Sequence, residues 1–79
     1  MKHNFPRGIK VIYGIYRDDS SIVVQSFLFD MDIWSIWEAQ NWLNKHGFKY
    51  KSVDVPETGK YVHFRQKDPK KFIKLRTSK

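Results

Sequence analysis

The sequence predicts an α+β domain of order ββαββ: a four-stranded, mostly antiparallel sheet with one helix on one face and a short C-terminal helical turn. Three observations carry this expectation. Two segments are rich in β-branched and aromatic residues, and two more alternate with period two. A single segment has capping signals and apolar residues at helical spacing, and it lies between the two pairs of strands. One helix covers only one face of such a sheet, and an antiparallel sheet tolerates water on the other. The open face is therefore where binding residues are expected.

The first two strands are GIKVIYGIYR (8–17) and SIVVQSFLF (21–29). The turn cluster Asp18-Asp19-Ser20 joins them as a hairpin. Ile9, Val11, Tyr13 and Ile15 share one face of the first strand; Lys10, Ile12, Gly14 and Tyr16 share the other. A glycine inside a strand predicts a bulge or a close approach by another group at Gly14.

The helix is expected over 36–46. Ser35 as N-cap and Glu38 three residues on form a capping box, Trp34 is placed to staple onto Ala39, and Gly47 supplies the stop. Ile36, Ala39 and Leu43 line one stripe with Trp42 beside it, leaving Trp37, Asn41 and Asn44 on the far side. The loop from Phe29 or the C-terminal tail is expected to cover Trp37.

FKYKSVDV (48–55) and YVHFRQK (61–67) form the second pair, separated by a loop at 56–59. Asp68 and Pro69 read as the cap and first residue of a short helical turn, with Phe72 folding back as an anchor. The basic tail IKLRTSK (73–79) is expected to fray at its end. The whole chain, 1–79, reads as one small domain with frayed ends at 1–7 and 77–79.

A chain of 79 residues has room for a single core, and aromatics at 16% build one from few side chains. Without cysteine there is neither a disulfide framework nor a thiolate zinc site. The first residues, MKHNFPRG, lack the apolar run of a signal peptide, and no stretch reaches membrane-spanning length. These points predict a soluble, cytoplasmic protein.

The net charge of +7 is unevenly spread. Up to Asn44 four Lys or Arg stand against five Asp or Glu; from Lys45 onward eleven stand against three. A basic half attracts polyanions through a term that does not depend on sequence. The plainer reading is a surface kept soluble by lysine.

Signals for chemistry are sparse. His3, His46 and His63 have no metal-ligand spacing, and Asp30 and Asp32 stand before the helix, where they favour its dipole. No nucleophile is paired locally with a base, and no glycine-rich loop could hold phosphates. Tyr13-Gly14-Ile15-Tyr16 contains the letters GIY, but the second YIG element and the downstream Arg and Glu of the GIY-YIG nucleases do not follow. The expectation is a protein without catalytic residues, metal, cofactor or small-molecule substrate.

The remaining signal is the last predicted strand. If Val62 and Phe64 face the helix, Tyr61, His63, Arg65 and Lys67 lie on the open face. With Phe48, Tyr50 and Ser52 inward on the neighbouring strand, Lys49 and Lys51 join them. Cations for phosphates and rings for bases are the ingredients of a nucleic-acid surface. Lysine and arginine on a strand equally discourage edge pairing, with no ligand at all.

Trp34, Glu38-Ala39, Trp42-Leu43, His46-Gly47-Phe48-Lys49, Tyr61, Phe64-Arg65-Gln66, Pro69, Phe72 and Arg76-Thr77 together resemble a small module common in bacteriophage genomes. That module occurs alone, or beside or fused to other phage proteins, including head-maturation proteases. The resemblance covers about residues 34–77 and not the first hairpin. It departs at Trp37, where a smaller residue is usual, and at His63, where arginine is usual, so that a constant charge becomes one that varies with pH. The resemblance implies a viral or prophage origin and an accessory role rather than an enzymatic one.

The expected function is therefore non-enzymatic nucleic-acid binding. Arg65, Lys67, Lys49 and Lys51 would meet phosphates, Tyr61 and His63 would stack, and Lys70, Lys71, Lys74 and Arg76 would extend the patch. The alternative is a protein-interaction module for phage head assembly or a host factor, meeting an acidic surface or a second copy through the same face with Trp37 and Trp34.

Overall fold

The computed structural model describes residues 5–57 and 59–77. The expected fraying of residues 1–4 and 78–79, and also His3, Thr58 in the 56–59 loop and the Pro69 side chain, lie outside the described residues.

The chain is α+β, with β1 (Ile9–Tyr16), β2 (Ile22–Asp30), α1 (Ile36–Lys45), β3 (Ser52–Asp54), β4 (Tyr61–Arg65), a 3-10 turn at Pro69–Lys71 and β5 (Phe72–Thr77). All strand pairs are antiparallel, in the order β3-β4-β2-β1-β5. The expected four strands are thus five. Phe72–Thr77, read from sequence as a basic tail and not as a strand, pairs along β1, from Phe72 opposite Tyr16 to Thr77 opposite Ile12. β1 had an unpaired edge in a hairpin, and its N–H and C=O groups take the nearest chain able to satisfy them.

The helix begins as the capping box requires: Glu38 N–H donates to Ser35 Oγ at 3.1 Å, and Ser35 N–H donates to Glu38 Oε1 at 3.0 Å. It ends one residue earlier than expected, with His46 as C-cap and Gly47 at a φ of +76°. Trp34 packs edge-on against Phe29 and donates its indole N–H to the Arg7 carbonyl at 2.8 Å.

One face of the sheet carries the core. Val11, Phe27, Phe29, Val62 and Phe64 are fully buried against Ala39 and Leu43 of the helix. Burying each phenylalanine contributes about 1.5–3 kcal/mol. Phe5, within the stretch expected to fray, packs against Phe27 and Trp42 and so belongs to this core.

Two local features shape the opposite, open face. Ile12 pairs with Ser26 but Tyr13 with Val24, so Gln25 is the extra residue of a bulge in β2. Phe72 lies over Gly14, where an added Cβ would stand 2.5 Å from its ring. The close approach expected at Gly14 is therefore Phe72, whose ring also packs at a tilt against Tyr16, with centroids 4.9 Å apart.

Candidate nucleic-acid interface

Register sorts the candidate residues. Val62 pairs with Phe29 and Phe64 with Phe27 on the helix side, so Tyr61, His63 and Arg65 stand on the open face as expected. From Tyr61 to Arg65 this row is about 13 Å long. The three residues lie in different surroundings.

Arg65 stands opposite Ser26 on one side and Ser52 on the other. Its guanidinium donates to Asp54 at 2.9 Å, across an ion pair with both side chains about half exposed. Two hollows open on either side of it. One, of about 280 Å³, is lined by Lys51, Ser52, Arg65, Lys67 and Asp68. The other, of about 290 Å³, is lined by Asp54, Val55, Pro56, His63 and Arg65. Among the described residues neither Lys51 nor Lys67 has an ion-pair partner. The Asp68 carboxylate is engaged in accepting the Lys70 N–H at 2.9 Å, where it caps the 3-10 turn as expected.

The backbone of Lys67 is held by Gln25. The buried Gln25 side chain donates from Nε2 to the Lys67 carbonyl at 2.8 Å and accepts from Ser26 Oγ at 2.7 Å. The Gln25 carbonyl accepts the N–H groups of Gln66 at 2.8 Å and Lys67 at 3.4 Å. The signal for this clamp was a glutamine and a serine interrupting the apolar run SIVVQSFLF. The Gln66 Nε2, in contrast, is enclosed without a hydrogen-bond partner.

The lysines before β3 correct one expectation. Phe48 and Tyr50 do pack on the core, but Ser52 faces Arg65 on the open side and Val53 takes the inward position. The alternation read over 48–55 thus breaks between Tyr50 and Ser52, and regular strand covers only Ser52–Asp54. Lys51 still reaches the notch, its N–H donating to the Arg65 carbonyl at 2.8 Å, whereas Lys49 is exposed and lines neither hollow.

Tyr61 belongs to another corner. Lys10 Nζ stands 4.7 Å from its ring centroid, and Asp30 and Lys60 form an ion pair at 3.2 Å beside it. One ring face is therefore already taken by a cation, which leaves His63 as the stacking group beside the notch.

The structure does not bring Lys74 and Arg76 to the notch. They pair with Ile15 and Tyr13, on the helix side of β1, at the far edge of the sheet. Three strand spacings, about 14 Å, and the thickness of the sheet separate them from β4. Lys70 and Lys71 are exposed on the turn between β4 and β5 and continue the basic surface from Lys67.

Of the two tryptophans, Trp34 is tied to Phe29 and Arg7, while Trp37 is 70% exposed. The cover expected over Trp37 is not formed. The 66–71 segment leads the tail to β1, on the far side of the sheet from β4, and not over the helix.

Fold and site together define a small antiparallel-sheet domain, covered by one helix, with a cationic notch beside its β3–β4 edge. No protein-family model, curated protein or solved structure matches the chain. No helix among the described residues is long and apolar enough to cross a membrane.

Proposed function

We propose that the protein is a non-enzymatic accessory protein that binds the phosphate backbone of nucleic acid through the notch of Lys51, Arg65 and Lys67, extended by Lys70 and Lys71. The observation that supports this most is the convergence of three cations and Ser52 on one concave site whose lining includes a single carboxylate, Asp68, with the Lys67 backbone carbonyl bonded to a buried glutamine. Ammonium groups and a guanidinium fork are suited to phosphate oxygens, and the excess charge of the second half draws polyanions toward them. The resemblance of residues 34–77 to a phage module supports a viral or prophage setting, which would place the protein in the host cytoplasm. Lys49, Lys74 and Arg76 contribute only long-range attraction.

The test is a binding titration against generic DNA and RNA over a salt series. Affinity falls steeply with salt, and Lys67→Ala and Arg65→Ala each weaken binding and reduce the slope of log K against log salt by about one. Absence of binding at low salt would overturn this reading.

The exposure of Trp37 favours a second reading, a protein contact through the outer helix face. Light scattering on wild type and Trp37→Ala tests it for self-association: a dimer that dissociates on substitution supports it, and a monomer in both restricts it to a different partner.

A further inference from the structure

The two hollows beside Arg65 differ in chemistry, and the difference bears on which form of nucleic acid fits. The first gathers Lys51, Arg65 and Lys67 around Ser52 and a single carboxylate, Asp68. The second brings the His63 side chain together with Val55 and Pro56, and its one carboxylate, Asp54, is paired with Arg65. Both share the Arg65 side chain, which is paired with Asp54. We propose, resting on the nucleic-acid reading above, that the ligand is single-stranded: a phosphate sits in the Lys51–Lys67 hollow and the adjoining base turns into the His63–Pro56 hollow, with Arg65 between them.

The physical reason is what a duplex can present. Its bases are stacked on one another and offer only edges in the grooves, so a duplex could fill the cationic hollow and leave the second without an occupant. A single strand has bases free to leave the stack and lie against a ring or a planar cation. The His63 hollow is lined in part by Val55 and Pro56 of the loop after β3.

The experiment is fluorescence anisotropy at one low ionic strength with three labelled probes of equal length: oligothymidine, the same strand paired with oligoadenosine, and an abasic sugar-phosphate strand. The single strand is expected to bind about tenfold more tightly than either of the others. His63→Ala lowers affinity for oligothymidine about five- to tenfold and leaves the other two unchanged, whereas Lys67→Ala weakens all three. Equal binding of single strand and duplex, or of intact and abasic strands, overturns the inference and leaves the phosphate-binding reading standing. Failure of all three probes to bind wild type overturns both. The abasic comparison uses wild-type protein, so it holds even if His63→Ala does not fold.

Discussion

The side chain of Gln25 donates from Nε2 to the backbone carbonyl of Lys67 at 2.8 Å, across 42 residues of sequence. The residue that breaks the apolar run of β2 is thereby the one that fixes the cationic notch. Gln25→Ala leaves the Lys67 carbonyl and the Ser26 hydroxyl without these partners, and is expected to cost about 1–3 kcal/mol. Urea denaturation measures the loss. The more specific result is weaker polyanion binding by the folded variant, because Lys67 is no longer held.

Asp54 acts against the proposed ligand. Its carboxylate neutralises Arg65 at 2.9 Å, and as a half-exposed pair it adds under about 1 kcal/mol of stability. Asp54→Asn should leave the denaturation midpoint nearly unchanged and raise affinity for a polyanion about two- to fivefold at low salt. Unchanged affinity would show that Arg65 does not touch the ligand.

Gly14 is required by its neighbour rather than by its backbone. A Cβ there would meet the Phe72 ring at 2.5–2.6 Å, and Phe72 is anchored at the start of β5. Gly14→Ala is therefore expected to destabilise by about 1–3 kcal/mol through overpacking. Combining it with Phe72→Leu should recover part of the loss. Strict additivity of the two changes, read from chemical denaturation, would mean that the ring moves aside freely.

Asp30 and Lys60 give the fold an acid limb. Burial pushes the Asp30 carboxyl up, but the Asp32 N–H and Lys60, together with the more distant Lys10, outweigh it and hold the group below its usual range. A lowered folded value means that its stabilisation is present above the unfolded value of about 4 and is lost as pH falls through the folded one. Lys60 is raised by the same carboxylate, so its share is complete below about pH 10 and is lost only as pH rises through its folded value. Denaturation midpoints measured from neutral pH down to pH 3 should fall for wild type and fall less for Asp30→Asn.

Gln66 is enclosed with a side-chain N–H group that has no partner. Gln66→Met keeps its length and removes the unsatisfied donor, so stability should rise by about 1 kcal/mol. A lower midpoint would show that the amide is in fact satisfied.

The helix was legible because its signals are local. Ser35 and Glu38 bond to each other's backbone within one turn, and Gly47 supplies the stop within two residues of the last helical one. The hairpin and the inward face of β4 were legible for the same reason, since the turn cluster at 18–20 is local and Val62 and Phe64 alternate with period two. Gly14 announced a close approach but could not name Phe72 as its cause.

The fifth strand and the composition of the notch depended on pairings between distant segments. IKLRT carries too little apolar character to read as a strand until the free edge of β1 supplies its hydrogen bonds. Ser52 and Asp54 face Arg65 because the chain changes parity after Tyr50, a step that periodicity alone does not show. Sequence by itself thus determined the helix, the hairpin, the buried face and the positive charge of the second half, all of which follow from local spacing and composition. Only the tertiary structure decided which cations share a site: Lys51, Arg65 and Lys67 meet in one notch, while Lys74 and Arg76 lie on the other face of the far edge. Strand order and register are set by long-range hydrogen bonding, and a one-residue change in parity moves a side chain to the opposite face of the sheet.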